Sequence, residues 1–196
     1  MKVDVKTPNG DTMTALAATL PVGSALRIAP QFIATAVNQD TGIETAIEAK
    51  YVPDAGRYVM TTVVNRAVGD DFDETALRRV VTQAILQAAI PHCIALQLSD
   101  SDDGAWITVA DLTASDGRVI PEWMAEAVVK RGMKAERLDV IEILYGTAAL
   151  AGLPPVKAVQ VELGVPHRTA ADWIYKARAA GRLEGMSYTP GRQADG

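Results

Sequence analysis

The stretch Leu163-Gly-Val-Pro-His-Arg-Thr-Ala-Ala-Asp-Trp-Ile174 carries the strongest local structural signals in this sequence of 196 residues. Gly164 favours the positive φ that ends a helix, and Pro166 fixes the φ with which a following helix begins. The pattern predicts a short helix that ends at Leu163, a turn, and a longer helix from Pro166 to about Ala180. Because the connection is so short, the two helices must cross closely.

Apolar residues of both predicted helices can meet at this crossing. They are Val156, Val159 and Leu163 of the first helix, Val165 of the turn, and Ala170, Trp173 and Ile174 of the second helix. We expect Trp173 to be a core residue, because it lies on the inward face of the second helix. The opposite face of that helix is then exposed.

The exposed face carries side chains that suit DNA recognition. In a helix-turn-helix, the N-terminal part of the second helix reads base edges in the major groove, and flanking residues bind phosphate. The predicted base-reading residues are His167, Arg168, Thr169, Ala171, Asp172 and Tyr175. The predicted phosphate-binding residues are Lys157, Lys176, Arg178 and Arg182. Arg168 can bond guanine with two hydrogen bonds, and Asp172 can accept one from cytosine.

The same stretch resembles the Leu-Gly-Val-Ser-x-x-Thr-Val-x-x-Trp pattern of bacterial and phage helix-turn-helix regulators. Its continuation to Leu183 is similar to the C-terminal domain of small regulators in actinobacteria and their phages. The likeness covers about a quarter of the chain. It departs from the family at Gln160, where Ala is usual, and at Asp172, where a basic or amide side chain is commoner. The resemblance implies a DNA-binding transcriptional regulator, by default a repressor.

The charge distribution agrees with this interpretation. The chain has 19 basic and 24 acidic residues, a net charge of −5. Residues 154–182 hold five of the basic residues and two of the acidic ones, a balance of +3, which leaves −8 for the remainder. Since phosphate binding requires positive potential, the DNA surface is expected in this segment. The acidic N-terminal region is expected to serve dimerisation or binding of a protein partner.

Upstream of the helix pair, β-branched residues and turn signals predict strands at first. The expected strands are Leu26–Ala29, Phe32–Val37, Thr45–Val52 and Tyr58–Asn65, which form an antiparallel meander. Helical spacing follows over Asp71–Ala89, with Asp71 and Glu74 as a capping box and Pro91 as the stop. Two further strands are predicted at Ile94–Leu98 and Trp106–Asp111, and helices at Glu122–Arg131 and Glu136–Ala151.

These elements predict an α+β fold, with an N-terminal antiparallel sheet that packs a helix and a C-terminal all-α helix-turn-helix domain. The expected organisation is a flexible arm over 1–21, which alternatively contains a short helix, then an α+β domain over 22–112. A helical DNA-binding domain follows over 121–184, and a disordered tail over 185–196.

Several other classes of function have little support in the sequence. Charged residues or prolines interrupt every apolar run, and Met1–Asp11 does not resemble a signal peptide, so we expect a cytoplasmic protein. Cys93 is the only cysteine, which excludes an internal disulfide and a thiolate zinc site. His92-Cys93 could suggest a metal or catalytic site, but adjacent residues of the expected strand point to opposite sides, which favours core or surface placement. Asp100–Gly104 resembles a calcium loop only superficially, and a polar hairpin turn is favoured there. We expect no enzyme activity, metal or cofactor.

A single reading helix covers only a few base pairs, so the sequence predicts a homodimer on a two-fold related site of double-stranded DNA. The alternative is a non-enzymatic adaptor, such as a phage-encoded inhibitor, whose acidic domain engages a host protein. In that alternative the helix-turn-helix is structural.

Overall fold

The computed structural model describes residues 2–68, 74–97, 105–113, 118–131 and 134–189. They contain two antiparallel sheets of four strands each. The first sheet has the order β1 (Asp4–Lys6), β4 (Gln31–Asn38), β5 (Ile43–Val52) and β6 (Arg57–Ala67). The second has the order β2 (Leu20–Val22), β3 (Leu26–Ile28), β7 (Ile94–Gln97) and β8 (Trp106–Thr108). With the helices, this arrangement confirms the predicted α+β fold class.

Six α-helices accompany the sheets in the described ranges. They are α1 (Thr82–Cys93), α2 (Val109–Thr113), α3 (Glu122–Arg131), α4 (Lys134–Leu150), α5 (Pro155–Leu163) and α6 (His167–Ala179). Short 3₁₀ turns occur at Ala15–Ala17, Pro53–Ala55 and Glu74–Arg79. No helix in the described ranges combines the length and apolar character needed to cross a membrane.

The first sheet buries one face in the core. Along β5 the exposure alternates, and Ile43, Ile47 and Ala49 are buried, as the two-residue period of a strand requires. Tyr58 packs its ring edge-on against Phe32, with centroids 5.1 Å apart, and its hydroxyl donates to the Ala29 carbonyl at 2.6 Å. Burial raises the pKa of the Tyr58 hydroxyl well above its ordinary value, so that the group stays protonated as this donor.

The predicted meander is correct for β4, β5 and β6 and wrong for the first strand. β3 belongs to the second sheet, where Leu26 lies opposite Leu96 of β7. Ala29 donates its N–H to the Cys93 carbonyl, and Pro30 separates β3 from β4. The sequence could not show this division, because β3 pairs with the short strand β2 on one side and with β7, far away along the chain, on the other.

Both ends of the described chain are held by packing, so the predicted flexible arm, and residues 185–189 of the predicted tail, are packed against the fold. β1 pairs with β4, and Val5 and Met13 are buried. At the other end Met186 is buried, and Ser187 donates its N–H to the Gly56 carbonyl at 3.2 Å. Residues 190–196 of the predicted tail lie outside the described residues.

The helix predicted over Asp71–Ala89 begins and ends later in the structure. α1 runs from Thr82 to Cys93, so Pro91 lies inside its last turn, and His92-Cys93 ends a helix rather than lying on a strand. A proline this close to the end removes one hydrogen bond, and Ile90 and Cys93 remain buried. The predicted cap residue Asp71, and the turn Ser99–Gly104, lie outside the described residues.

The strand predicted at Trp106–Asp111 is also shorter than expected. β8 ends at Thr108, where α2 begins. The Thr108 hydroxyl accepts a hydrogen bond from the Asp111 N–H at 3.0 Å and donates to the Asp111 carboxylate at 2.7 Å. Reciprocal bonds of this kind cap a helix start, which is why the strand does not continue.

Cys93 provides a test of the core. Burial raises the pKa of its thiol well above the ordinary value, so little reactive thiolate exists at neutral pH. We expect iodoacetamide to modify the native chain very slowly and to modify it rapidly in urea, where the pKa returns to about 8.5. Mass spectrometry at increasing urea concentration measures this. Rapid modification without urea would show that α1 does not pack as described.

Candidate nucleic-acid interface

Helices α4, α5 and α6 pack on one another, and α5 and α6 form the predicted helix pair. Gly164 adopts φ 60° and donates its N–H to the Gln160 carbonyl. Val165 also donates to this carbonyl, at 3.3 Å, and its side chain is buried in the corner. The left-handed conformation at Gly164 therefore ends α5 and directs the chain into α6 within three residues.

One face of α6 is buried. Ala170, Ile174 and Ala177 of α6, together with Val159 and Leu163 of α5, belong to the core. Trp173 is partly buried and packs against this core, as predicted. The Arg137 guanidinium of α4 lies 4.4 Å from the centre of the Trp173 ring, so this cation is held against a structural residue.

The opposite face of α6 holds the six predicted base-reading residues. His167, Arg168, Asp172 and Tyr175 are exposed, and Thr169 and Ala171 are half-buried. Arg168, Asp172 and Tyr175 follow one another at four and three residues, so they lie along one stripe of the helix. The side chain that projects furthest is Tyr175, with 71% of its surface exposed.

Asp172 is not an isolated negative charge on this face. Its carboxylate lies 2.7 Å from the Lys176 ammonium, one turn further along the helix. Both side chains remain largely exposed. The pair reduces the repulsion that a lone carboxylate would exert on phosphate, and it makes Lys176 a weaker phosphate ligand than a free lysine.

Arg178 lies where α6 meets α4. Its guanidinium donates a hydrogen bond to the Tyr145 hydroxyl at 2.7 Å and lies 5.6 Å from the centre of the Tyr145 ring. Tyr145 is buried, whereas Arg178 remains exposed. The arrangement fixes the position of this cation without neutralising its charge.

Arg182 has a different environment from the other predicted phosphate-binding residues. Its guanidinium lies 2.9 Å from the Asp139 carboxylate and 3.3 Å from that of Glu142, and it also donates to the Ser24 hydroxyl. Two carboxylates thus compensate its charge within the chain. A phosphate contact by Arg182 would require these ion pairs to weaken.

Glu142 is the residue that sequence reasoning missed. Its side chain is completely buried. Its carboxylate accepts hydrogen bonds from the N–H and hydroxyl groups of Ser24 and from the N–H of Ala25. These bonds join α4 to the turn between β2 and β3. One signal was present in the sequence, because Glu142 is the only charged residue between Val140 and Leu150.

Two of the predicted DNA-contacting cations have neither an ion pair nor a side-chain hydrogen bond with the described residues. Lys157 is exposed on α5, and Arg168 is exposed in the first turn of α6. The described residues also contain no group of three or more histidine, cysteine, aspartate or glutamate side chains that could bind a metal ion. Of the predicted DNA-contacting cations, Lys157 and Arg168 are therefore the most available to an anionic partner.

No family model, no curated protein and no solved structure matches this chain.

The role of Arg182 can be tested by stability. Removing one partner of a buried ion pair costs about 3 to 5 kcal/mol, and we expect Arg182→Ala to fall near the lower end, since Arg182 keeps some exposure. Urea unfolding measures the free energy of unfolding. The matched control is Lys176→Ala, which breaks an exposed pair and should cost at most about 1 kcal/mol. An equal, small effect of both substitutions would contradict the structural role of Arg182.

Proposed function

We propose that this protein is a sequence-specific transcriptional regulator that binds double-stranded DNA by inserting α6 into the major groove. The observation that carries the proposal is the two-sided character of α6. One face is buried by Ala170, Ile174 and Ala177, and the other exposes Arg168, Asp172 and Tyr175 in a single stripe. A helix fixed on one side and polar on the other is the form that groove recognition requires.

The order of residues along α6 suits an approach by its N-terminal end. Arg168 lies in the first turn, where its guanidinium can meet the O6 and N7 atoms of a guanine. His167 and Thr169 flank it and can reach bases or phosphate. One turn later, Asp172 can accept a hydrogen bond from a cytosine amino group, and Ala171 can contact a thymine methyl group.

The remaining cations suit the phosphate backbone. Lys157 lies on α5, which contacts α6 directly, and Lys176 and Arg178 lie towards the C-terminal end of α6. These contacts would carry no sequence information but would fix the position of the helix on the duplex. We do not expect Arg182 to contact phosphate, because Asp139 and Glu142 already compensate its charge.

A regulator of this kind would act in the cytoplasm, as a homodimer on a two-fold related site. Repression by occluding a promoter is its simplest mode of action. The acidic remainder of the chain would face away from DNA, because phosphate repels it.

Arg168 is the residue on which to test base reading. We expect Arg168→Ala to lose about 1 to 3 kcal/mol of discrimination between the preferred site and random DNA. The preferred site is first selected from a random pool, and fluorescence anisotropy then measures both affinities. The control is Lys6→Ala, which removes an exposed cation of β1 that pairs with Asp4. If Arg168→Ala discriminates as well as the unmodified protein, α6 does not read bases through this residue.

Arg178 tests the phosphate contacts. Arg178→Ala should weaken binding to preferred and random DNA by a similar factor. It should also reduce the magnitude of the negative slope of log affinity against log salt by about 1. Anisotropy titrations between roughly 50 and 300 mM salt give the slope. A change in sequence preference without a change in slope would mean that α6 is oriented differently in the groove.

One observation favours the adaptor as a second candidate function. Val161 of α5 is exposed over 69% of its surface, and Tyr175 of α6 over 71%. Exposed apolar and aromatic side chains are typical of protein contacts. Absence of binding to any duplex at low salt, with stoichiometric retention of one host protein, would support the adaptor and remove the regulator.

A further inference from the structure

The outer edge of β6 is the feature that the proposed function does not use. β6 is the last strand of the first sheet, and no strand pairs with its outer side among the described residues. Its second half is exposed, since 45% of the surface of Val63 and 38% of that of Val64 are accessible to solvent. An exposed strand edge with β-branched residues is a ready template for another strand.

Between Thr62 and Asn65, the edge lacks the protection that solitary edges usually have. Charged residues, prolines or bulges normally prevent edge strands from pairing. In β6 the register shifts between its pairings with Glu48 and Ala49, which leaves Thr61 unpaired. From Thr62 to Arg66 the ladder with β5 is regular, and Thr62–Asn65 contains neither charge nor proline. The protection therefore stops where the exposed valines begin.

We propose that this edge pairs with the same edge of a second copy of the chain. The two β6 strands would run antiparallel about a two-fold axis at Val64, and the two four-stranded sheets would become one sheet of eight strands. In this register Val64 lies opposite its own copy, and Val63 lies opposite Asn65 of the second copy. No like charges face each other.

Charge complementarity supports this register. Arg66 would lie opposite Thr62 of the second copy, and Thr62 is the neighbour of Glu48 in the sheet. The Glu48 side chain is exposed and accepts a hydrogen bond from the Thr62 hydroxyl at 3.0 Å. Arg66 is largely exposed, and its contact with Glu44, at 3.7 Å, is long. The Cα atoms of Arg66 and Glu48 would be two strand spacings, about 9.6 Å, apart.

The side chains of Arg66 and Glu48 can span this separation on the outer face of the sheet. By symmetry the contact occurs twice. An unrelated peptide strand would satisfy the edge but would not supply the two arginine–glutamate pairs, so the observations favour a second copy. One strand edge is a small interface, at the lower end of those that form stable complexes. We therefore expect a reversible dimer whose population rises with protein concentration.

Sedimentation equilibrium without DNA tests the dimer. The average mass should rise from the 20.8 kDa of one chain towards twice that value as concentration increases. Val64→Lys should keep the mass at one chain, because two like charges would meet at the axis, and Val64→Thr should dimerise as the unmodified chain does. A single-chain mass at every concentration, or dimerisation by Val64→Lys, would overturn the proposal.

A charge exchange tests the register. Arg66→Glu and Glu48→Arg should each weaken dimerisation at least several-fold, and the double variant should restore it, since the pairs re-form with reversed sign. Failure of the double variant to recover would exclude the Arg66–Glu48 contact and, with it, the register at Val64.

Crosslinking gives a further readout, since the only native cysteine is buried Cys93. Under mild oxidation Val64→Cys should form a covalent dimer. Lys50→Cys, an exposed position on the inner strand β5, should not. Equal crosslinking of both variants would contradict edge pairing.

The inference does not rest on DNA binding, and the two can fail separately. A dimer that binds no DNA would retain the β6 interface and remove the proposed regulator. DNA binding by a chain that remains single at every concentration would retain α6 as the DNA-binding element and would remove the β6 interface together with the homodimer.

Discussion

The position of the C-terminal helices relative to the sheets depends on one buried carboxylate. Glu142 enters the interior from α4 and accepts three hydrogen bonds from Ser24 and Ala25 at the β2–β3 turn. A buried charge is tolerated only when hydrogen bonds and a counter-charge replace the water that it loses. Arg182 supplies the counter-charge from beyond the end of α6, so three distant parts of the chain meet at this carboxylate.

The surroundings of this carboxylate leave little freedom to rearrange. Gly23 has φ +62°, and a Cβ atom there would collide with Glu142 and would lie 2.6 Å from the Arg182 carbonyl. Nearby, the Gly185 carbonyl accepts a hydrogen bond from the Tyr51 hydroxyl, and a Cβ atom at Gly185 would lie 2.8 Å from the Val22 side chain. The segment after α6 is thereby attached to the first sheet.

Several basic residues of the C-terminal region fall into two groups. Arg182 and Arg137 serve the interior, one by balancing carboxylates and the other by covering Trp173. Arg168 and Lys157 have no ion pair within the described part of the chain. Part of the positive charge of residues 154–182 is thus compensated by carboxylates within the folded chain. A count of charges along the sequence overestimates the positive charge available to an anionic ligand, which is why the sequence alone places Arg182 among the phosphate-binding residues.

The sequence by itself determined the features that neighbouring residues control. The bounds of α3, the turn at Gly164, the helix that follows Pro166 and the inward side of Trp173 all follow from local backbone preferences and apolar spacing. The strands β4, β5 and β6 follow from alternation and turn residues. Only the tertiary structure assigned β3 to the second sheet and paired Arg182 with Glu142. It alone also showed the strands β1 and β2, which have three residues each and are too short for a periodic signal. Apart from the pairing of β2 with the neighbouring β3, those outcomes depend on partners far away along the chain, and the energy of such contacts exists only once the chain has folded.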